Sequence, residues 1–228
     1  MQRLSLFLPS EERGIKLKQT LVFKNVVSTY DELRDLVGTP SERAEKKVIH
    51  DIDEHCQNFI SLSPFLIMST ADQKGNCDVS PRGDCPGFVM VINEKQLLIP
   101  ERPGNKRVDS MKNILENPRV GLQFFIPGLG ESLRINGKAF LVKDDDLLEK
   151  MAVNGKRPLL GIGVEAEECF IHCAKALLRS GLWEPETWKD KALLPRAAKI
   201  LAAHANIEGV TVDEVEASLI EGYNNRLY

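Results

Sequence analysis

The sequence predicts a mainly β domain with peripheral helices, an α+β fold built round a small closed or partly closed barrel. About six short runs of strand-forming residues follow one another between residues 65 and 142, and most are joined by hairpin turns. One connecting helix interrupts them, and further helices flank them on both sides in sequence. Because a closed barrel removes exposed sheet edges, this order of elements favours a barrel over an open sheet.

Three regions follow from this pattern. Residues 1–39 are predicted to form an N-terminal extension with one short helix, residues 40–184 the barrel domain, and residues 185–228 a C-terminal helical extension. A chain of 228 residues is long enough for one sizeable core with helical additions.

Two helix starts are visible in the first quarter of the chain. Ser28 or Thr29 can cap a short helix that runs through Val37, because Gly38 suits the position directly after a helix. Thr39-Pro40-Ser41-Glu42 then combines a capping box with proline at the first helical position. We therefore expect a second helix over about 40–60.

Short apolar or alternating runs, separated by turn residues, predict the strands. They cover residues 65–70, 77–84, 87–92, 96–100, 120–125 and 132–142. The last is the clearest, because its odd positions are apolar or small whereas Arg134, Asn136 and Lys138 occupy even positions. One face of this strand should pack in the core. The segment 161–173 is predicted to be one more strand or a bent pair.

The connecting helix follows a turn that contains two prolines and a glycine. Asn105 is its expected N-cap, apolar residues recur at helical spacing from Val108, and Asn117-Pro118 ends it. Three later helices are expected over about 144–153, 187–204 and 212–225, the last opened by a capping box between Thr211 and Glu214.

The charge at the start of the connecting helix points to a ligand. Lys106 and Arg107 are expected in its first turn, where the positive end of the helix dipole normally favours acidic residues. A phosphate would neutralise both cations and the free N–H groups of that turn. The alternative is an ordinary solvated basic turn followed by a surface helix.

Composition argues against several classes of function. The formal net charge is -3, so a general nucleic-acid or membrane-surface binder is not expected. Apolar stretches fall short of the roughly 20 residues that span a bilayer. The five cysteines are scattered without a CxxC pair, which indicates neither a disulfide framework nor a zinc site. The N-terminal segment is too interrupted for a signal peptide, and we expect a cytoplasmic protein.

Taken together, the motifs resemble the pyridoxamine 5'-phosphate oxidase-like family of FMN-binding split barrels. The resemblance starts with the strand at 65–70 and its Gly75 turn, and it continues through SPRG at 80–83, LLIP at 97–100, GNKR at 104–107, ENPRVGLQFF at 116–125, LRINGKA at 133–139 and IHCAKALLRSGLW at 171–183. It covers roughly residues 40–190. It implies a split β-barrel that forms a homodimer, with FMN in grooves between the subunits.

The resemblance also implies the residues of the FMN site. Those expected to hold the phosphate are Asn105, Lys106 and Arg107, together with Arg82 on an adjacent strand. Those expected along the flavin ring are Ser80, Gly83, Asp84, Ile99 and Pro100. The second subunit is expected to contribute Gln123, Arg134 or the later Lys175 and Arg179.

The function implied is that of an FMN-dependent oxidoreductase acting on a small molecule. The alternative is a flavin- or haem-binding protein without turnover, such as a carrier or sensor. The C-terminal arginine-histidine segment of the vitamin B6 oxidases has no close counterpart here, so a true pyridoxamine phosphate oxidase is not expected. Since no GxGxxG fingerprint follows a strand, any pyridine nucleotide would be a transient electron donor.

One histidine is a candidate proton donor for such a reaction. Imidazole side chains exchange protons near neutral pH, which makes His172 the candidate. A structural role between Ile171 and Cys173 is the alternative. Cys169, His172 and Cys173 lie on one short segment without a distant fourth ligand, so no metal site is predicted.

Overall fold

The computed structural model describes residues 22–228. They fall into two compact units, one that ends at Glu42 and one that comprises Arg43–Tyr228. The first contains helix α1 (Tyr30–Val37), whose start and end confirm the sequence prediction. The Thr29 hydroxyl accepts a hydrogen bond from the Glu32 N–H at 3.2 Å, and Gly38 follows the helix with φ 74°.

The second unit is built on one antiparallel sheet of seven strands. They are β1 (Phe65–Ala71), β2 (Cys77–Gly83), β3 (Met90–Asn93), β4 (Gln96–Pro100), β5 (Arg119–Phe125), β6 (Ser132–Val142) and β7 (Gly161–His172). Their order in space is β2-β1-β5-β6-β7-β4-β3. Residues from five of these strands and from the adjacent helices share one apolar core. This is the predicted α+β fold, a split β-barrel with peripheral helices.

The two longest strands, β6 and β7, pair along almost their whole length. Leu133 and Ile135 of β6 are buried and Arg134 is exposed, as the alternation in the sequence predicts. The ladder shifts register between Asn136 and Gly137. A side chain at Gly137 would place its Cβ 2.0 Å from the Glu165 carbonyl oxygen, so only glycine allows this close approach.

The helices of the second unit surround this sheet. They are α2 (Glu42–Lys46), which starts at the boundary residue, α3 (Glu54–Leu62), α4 (Asp109–Glu116), α5 (Asp145–Glu149), α6 (Lys175–Ser180), α7 (Ala197–Ala205) and α8 (Val212–Asn225), with short 3-10 helices at Pro185–Thr187 and Lys191–Leu193. The predicted capping box of α8 is present, since Thr211 and Glu214 bond reciprocally. Within residues 22–228 every helix is too short or too polar to cross a bilayer.

The prediction of one helix over 40–60 is wrong, because the backbone between α2 and α3 joins the sheet instead. Ile49 exchanges two backbone hydrogen bonds with Cys169 of β7, at 3.0 and 2.8 Å. The strand β4 pairs with β7 only as far as Glu165, so the backbone of β7 beyond that point is open to Ile49. Asp53 then caps α3 through a 2.8 Å hydrogen bond from the Cys56 N–H.

The expected start of the connecting helix also needs correction. The helix α4 begins at Asp109, with Val108 at the N-cap in a left-handed conformation at φ 56°. Asn105 caps only a turn, because its side chain accepts from the Arg107 N–H at 3.0 Å. Lys106 and Arg107 therefore precede the helix, and the acidic Asp109 occupies the first turn, as the helix dipole favours.

Three other boundaries differ from the prediction. Strand β3 starts at Met90 rather than residue 87, because Gly87 turns at φ 81°. Helix α5 ends at Glu149 rather than residue 153. The helix expected over 187–204 starts only at Ala197, because the residue before Pro195 is held in an extended conformation with ψ 147°.

Candidate functional site

A cleft of about 880 Å³ opens beside the edge strand β2. Its walls are formed by residues 78–83 of β2, residues 100–106 and 108–111 around the start of α4, residues 156–160 before β7, and Tyr228. Apolar side chains, among them Val79 and Phe88, cover much of the lining, and charged groups stand at its rim. Small-molecule and cofactor sites have this size and this mixture of surfaces.

The first charged group of the cleft is an ion pair between β2 and the residue after β4. Arg82 Nη1 contacts Glu101 Oε2, and the two side chains are only 14% and 22% exposed. Arg82 Nε is buried and has no hydrogen-bond partner among the described residues. A buried guanidinium N–H costs stability when no acceptor meets it.

The second group centres on Asp84, whose side chain is 2% exposed. Arg102 Nε lies 2.7 Å from Asp84 Oδ2, and the Tyr228 hydroxyl donates to Asp84 Oδ1 at 2.7 Å. Burial acts to raise the pKa of the Asp84 carboxyl, but the hydrogen bonds from Tyr228, the Cys85 N–H and Arg102 outweigh it, so the pKa lies below its ordinary value. Asp84 is therefore an ionised acceptor at neutral pH.

A hydrogen-bonded chain connects β2 to the first turn of α4. Ser110 donates to Asp78 Oδ2 at 2.5 Å, and the Ser80 and Ser110 hydroxyls are 2.9 Å apart. This chain fixes the helix start against the strand. It also explains why Ser110 is buried although it is polar.

The basic turn before α4 is more exposed than the strands. Two of its residues, Lys106 at φ 62° and Val108 at φ 56°, have left-handed backbone conformations that are unfavourable for side chains with a Cβ, and most of all for a β-branched valine. Arg107 Nε lies 2.7 Å from Asp109 Oδ2, and the Arg107 side chain is 72% exposed. Lys106 lines the cleft.

The structure brings part of the predicted site together. The predicted residues that line the cleft are Ser80, Arg82, Gly83, Pro100, Asn105 and Lys106. Asp84 contacts the lining residue Arg102, and Ile99 is fully buried. Arg107 lies in sequence between the lining residues Lys106 and Val108. Their roles toward FMN stay predictions.

The residues predicted to come from a second subunit lie outside this cleft of the described chain, as does His172. Gln123 and Arg134 face each other across β5 and β6, where Gln123 donates to the Ser132 hydroxyl at 2.9 Å and Arg134 lies 5.5 Å from the centre of the Phe170 ring. Lys175 and Arg179 share the short helix α6. His172 is exposed at the end of β7.

Sequence reasoning missed several residues of the cleft, namely Asp78, Glu101, Arg102, Ser110, Lys156 and Tyr228. Glu101 and Arg102 lie in the turn with two prolines and a glycine before the connecting helix, and their opposite charges at neighbouring positions were the available signal. Tyr228 offered no local signal, since it lies 144 residues from the carboxylate that it contacts.

Comparisons with known proteins agree with this fold. Residues 52–173, more than half of the chain, match the family described as Pyridoxamine 5'-phosphate oxidase. The matched region contains the whole cleft wall formed by β2, β4 and the start of α4. No curated protein sequence is significantly similar to the chain.

Solved structures of similar outline share low sequence identity with this chain. They include HupZ of Group A Streptococcus, with 18% identity over 53% of this chain and 93% of that one and a TM-score of 0.42. General Stress Protein 26 of Bacillus anthracis has 14% identity over 51% and 93%, with a TM-score of 0.39. An FMN-binding protein of Syntrophomonas wolfei has 10% identity over 50% and 80%, with a TM-score of 0.39. At these values the likeness carries no functional inference.

Proposed function

Because the chain belongs to the pyridoxamine 5'-phosphate oxidase family, we propose that it binds FMN in this cleft and acts as an oxidoreductase on a small organic molecule. The observation that carries the proposal is the coincidence of the family match with a cleft of about 880 Å³ whose lining includes the cations Arg82 and Lys106. A cofactor site needs such a combination of volume and a few placed donors.

The residues present fit a phosphate-bearing ligand. Arg82 and Lys106 both line the cleft, and Arg82 Nε is a buried N–H without a partner among the described residues. Arginine binds phosphate oxygens through charge-assisted hydrogen bonds, which are roughly twice as strong as neutral ones. Glu101, already paired with Arg82, holds the guanidinium in place. We propose that these two cations, with Asn105 and Arg107 at the turn, bind the phosphate.

The apolar part of the lining suits a planar ring. Val79 and Pro81 of β2 and Pro100 at the end of β4 contribute apolar atoms to it, and Gly83 lies beside them at the end of β2. Bound FMN would supply the electron and hydride chemistry, as flavins do. The chain itself would bind the phosphate, orient the ring and exclude water. The paired carboxylates Asp84 and Glu101 would keep the neighbouring guanidinium groups fixed.

The proposal includes a homodimer, with the second subunit supplying Gln123, Arg134, Lys175 or Arg179 to the flavin. The resemblance to the family and the half-exposed polar face of β5 and β6 support the homodimer. Sedimentation of the FMN-loaded protein tests it, and a monomer that retains full FMN affinity would remove these four residues from the site.

The absorbance spectrum of the purified protein is the first experiment. Flavin absorbance bands that elute together with the protein in gel filtration would support bound FMN. A Soret band would instead indicate haem. A colourless protein that does not quench the fluorescence of added FMN would overturn the proposal.

Turnover needs a separate measurement. Anaerobic mixing of the FMN-loaded protein with NADH, NADPH or a reduced deazaflavin should bleach the flavin band if the protein is an oxidoreductase. Stable flavin absorbance with every donor would instead favour a carrier or sensor. A cytoplasmic location stays a prediction from the sequence.

A further inference from the structure

Tyr228 reaches into the cleft and is held there by three groups from separate parts of the chain. Its hydroxyl donates to Asp84 Oδ1 at 2.7 Å. The Arg102 guanidinium carbon lies 5.7 Å from the centre of its ring, within the range of a cation–π contact. Its main-chain oxygen accepts from Lys156 Nζ at 2.8 Å.

Ordinary packing of the preceding helix does not explain this arrangement. Leu227, the neighbour of Tyr228, is 61% exposed, and α8 buries none of its own side chains. The segment is therefore anchored at Tyr228 itself. The contacts are polar and specific. The ionised Asp84 carboxylate accepts a hydrogen bond from the Tyr228 hydroxyl, and the Arg102 guanidinium lies near the ring.

We propose that Asp84, Arg102 and Lys156 form a subsite for a hydroxyaryl carboxylate, which Tyr228 occupies in this structure and from which a small ligand displaces it. The inference rests on the proposed function, because it assigns a substrate class to the same cleft. The cleft, at about 880 Å³, is near the upper end for small-molecule sites, so it has room for a second group beside a cofactor.

Each of the three residues selects one part of such a ligand. Asp84 favours a ligand with a hydroxyl at the far end of the ring. Without that hydroxyl, the Asp84 carboxylate, which is 2% exposed, would lose one hydrogen-bond donor. Arg102 favours the electron-rich face of the ring. Lys156, which donates to the main-chain oxygen of Tyr228, would donate in the same way to a ligand carboxylate, in a charge-assisted hydrogen bond.

The spacing of these contacts defines a probe. In Tyr228 two carbons separate the ring from the carbonyl group, and 3-(4-hydroxyphenyl)propanoate has the same ring, the same two carbons and a carboxylate. Its matched control is 3-phenylpropanoate, which lacks only the hydroxyl. The comparison between the two acids changes the ligand and not the protein, so both acids are measured on the same protein preparation.

Calorimetric titration of the Tyr228→Ala variant with both acids tests the subsite. We expect 3-(4-hydroxyphenyl)propanoate to bind the variant at least tenfold more tightly than the wild type, because the internal competitor has gone. We expect 3-phenylpropanoate to bind the variant about tenfold more weakly than the hydroxylated acid. Equal affinity of the two acids, or no binding of either, would overturn the inference.

Two further measurements complete the test. In Tyr228→Ala combined with Asp84→Asn, the preference for the hydroxylated acid should fall below threefold, whereas Tyr228→Ala with Asp51→Asn, changed at an exposed ion pair, should keep it. The FMN affinity of each variant is measured in a separate titration. FMN binding without acid binding would refute the subsite alone, and acid binding without FMN binding would refute the proposed function alone.

Discussion

The two sides of the cleft use charge in different ways. The strand wall, formed by Arg82 and Asp84 with Glu101 and Arg102, holds its charges in pairs whose side chains are at most 22% exposed. The turn wall, residues 104–108, carries Arg107 at 72% exposure. Removing one partner of a buried ion pair strongly destabilises the fold, whereas exposed pairs contribute little to stability. Removing a charge from the strand wall should therefore affect folding and binding together, and removing a charge from the turn wall should affect binding alone.

The largest effect is expected for Asp84→Asn. It leaves Arg102 without its carboxylate and weakens the hydrogen bond from Tyr228, so the free energy of unfolding should fall by about 3 kcal/mol. Urea denaturation measures the change. Asp51→Asn, which alters an ion pair that is half exposed, is the control and should leave the urea midpoint unchanged. Equal losses in the two variants would remove the distinction between buried and exposed pairs.

The same carboxylate predicts a dependence of stability on pH. The folded-state pKa of Asp84 lies below its ordinary value of 3.8, so the unfolded chain binds the proton more readily. The stabilisation by Asp84 is thus fully present above about pH 5 and is lost as the pH falls through the folded-state pKa. The difference in unfolding free energy between wild type and Asp84→Asn should shrink on acidification below pH 4. A constant difference would contradict the lowered pKa.

Arg82→Met should reduce stability and FMN affinity together. The change leaves Glu101 unpaired in a site where it is 22% exposed, and it removes the donor proposed for the phosphate. We expect each free energy to fall by about 2 kcal/mol, from urea denaturation and from flavin fluorescence titration. Arg119→Met, at an exposed pair with Glu167 outside the cleft, should change neither. A loss of stability with unchanged FMN affinity would show that Arg82 is structural only.

Arg107→Ala should change affinity alone. We expect FMN to bind about tenfold more weakly, the loss of one charge-assisted contact, with the urea midpoint unchanged because the Arg107–Asp109 pair is exposed. Flavin titration and urea denaturation of the same preparation measure both. Wild-type affinity would remove Arg107 from the phosphate site.

The smallest effect is expected for Val108→Gly, and it should be stabilising. A β-branched residue at φ 56° is strained, and glycine adopts this conformation without strain. The gain should be about 0.5–1 kcal/mol after the added entropy of the unfolded chain is subtracted. A raised thermal midpoint would confirm it. Val120→Gly, in the buried position of β5, should lower the midpoint and serves as the control.

Much of the fold could be predicted because its signals are local. The alternation along β6 and the capping box of α8 each involve residues that are neighbours in the finished element. The helix expected over 40–60 failed for the opposite reason. Its middle, Ile49, pairs with Cys169 of β7, and the apolar spacing of a helix contains no information about so distant a strand.

The candidate site could likewise be predicted only in part from the sequence. Arg82, Asn105 and Lys106 were predicted from motifs, and they line the cleft. The position of Lys106 and Arg107 in the first turn of a helix was wrong, because the backbone makes a left-handed turn at Val108 and starts the helix one residue later. The electrostatic argument from the helix dipole does not apply to them. Their proposed role rests on the cleft and on the family.

The sequence by itself determined the strands, most of the helices and the family, because periodicity, caps and turn residues act over a few positions. Only the tertiary structure decided which carboxylate neutralises which guanidinium, and that Tyr228 returns to Asp84. Those contacts depend on the order of strands in the sheet and on the path of the C-terminal helices. The free energy of an ion pair depends on distance and burial in space, and these are fixed only when remote segments pack together.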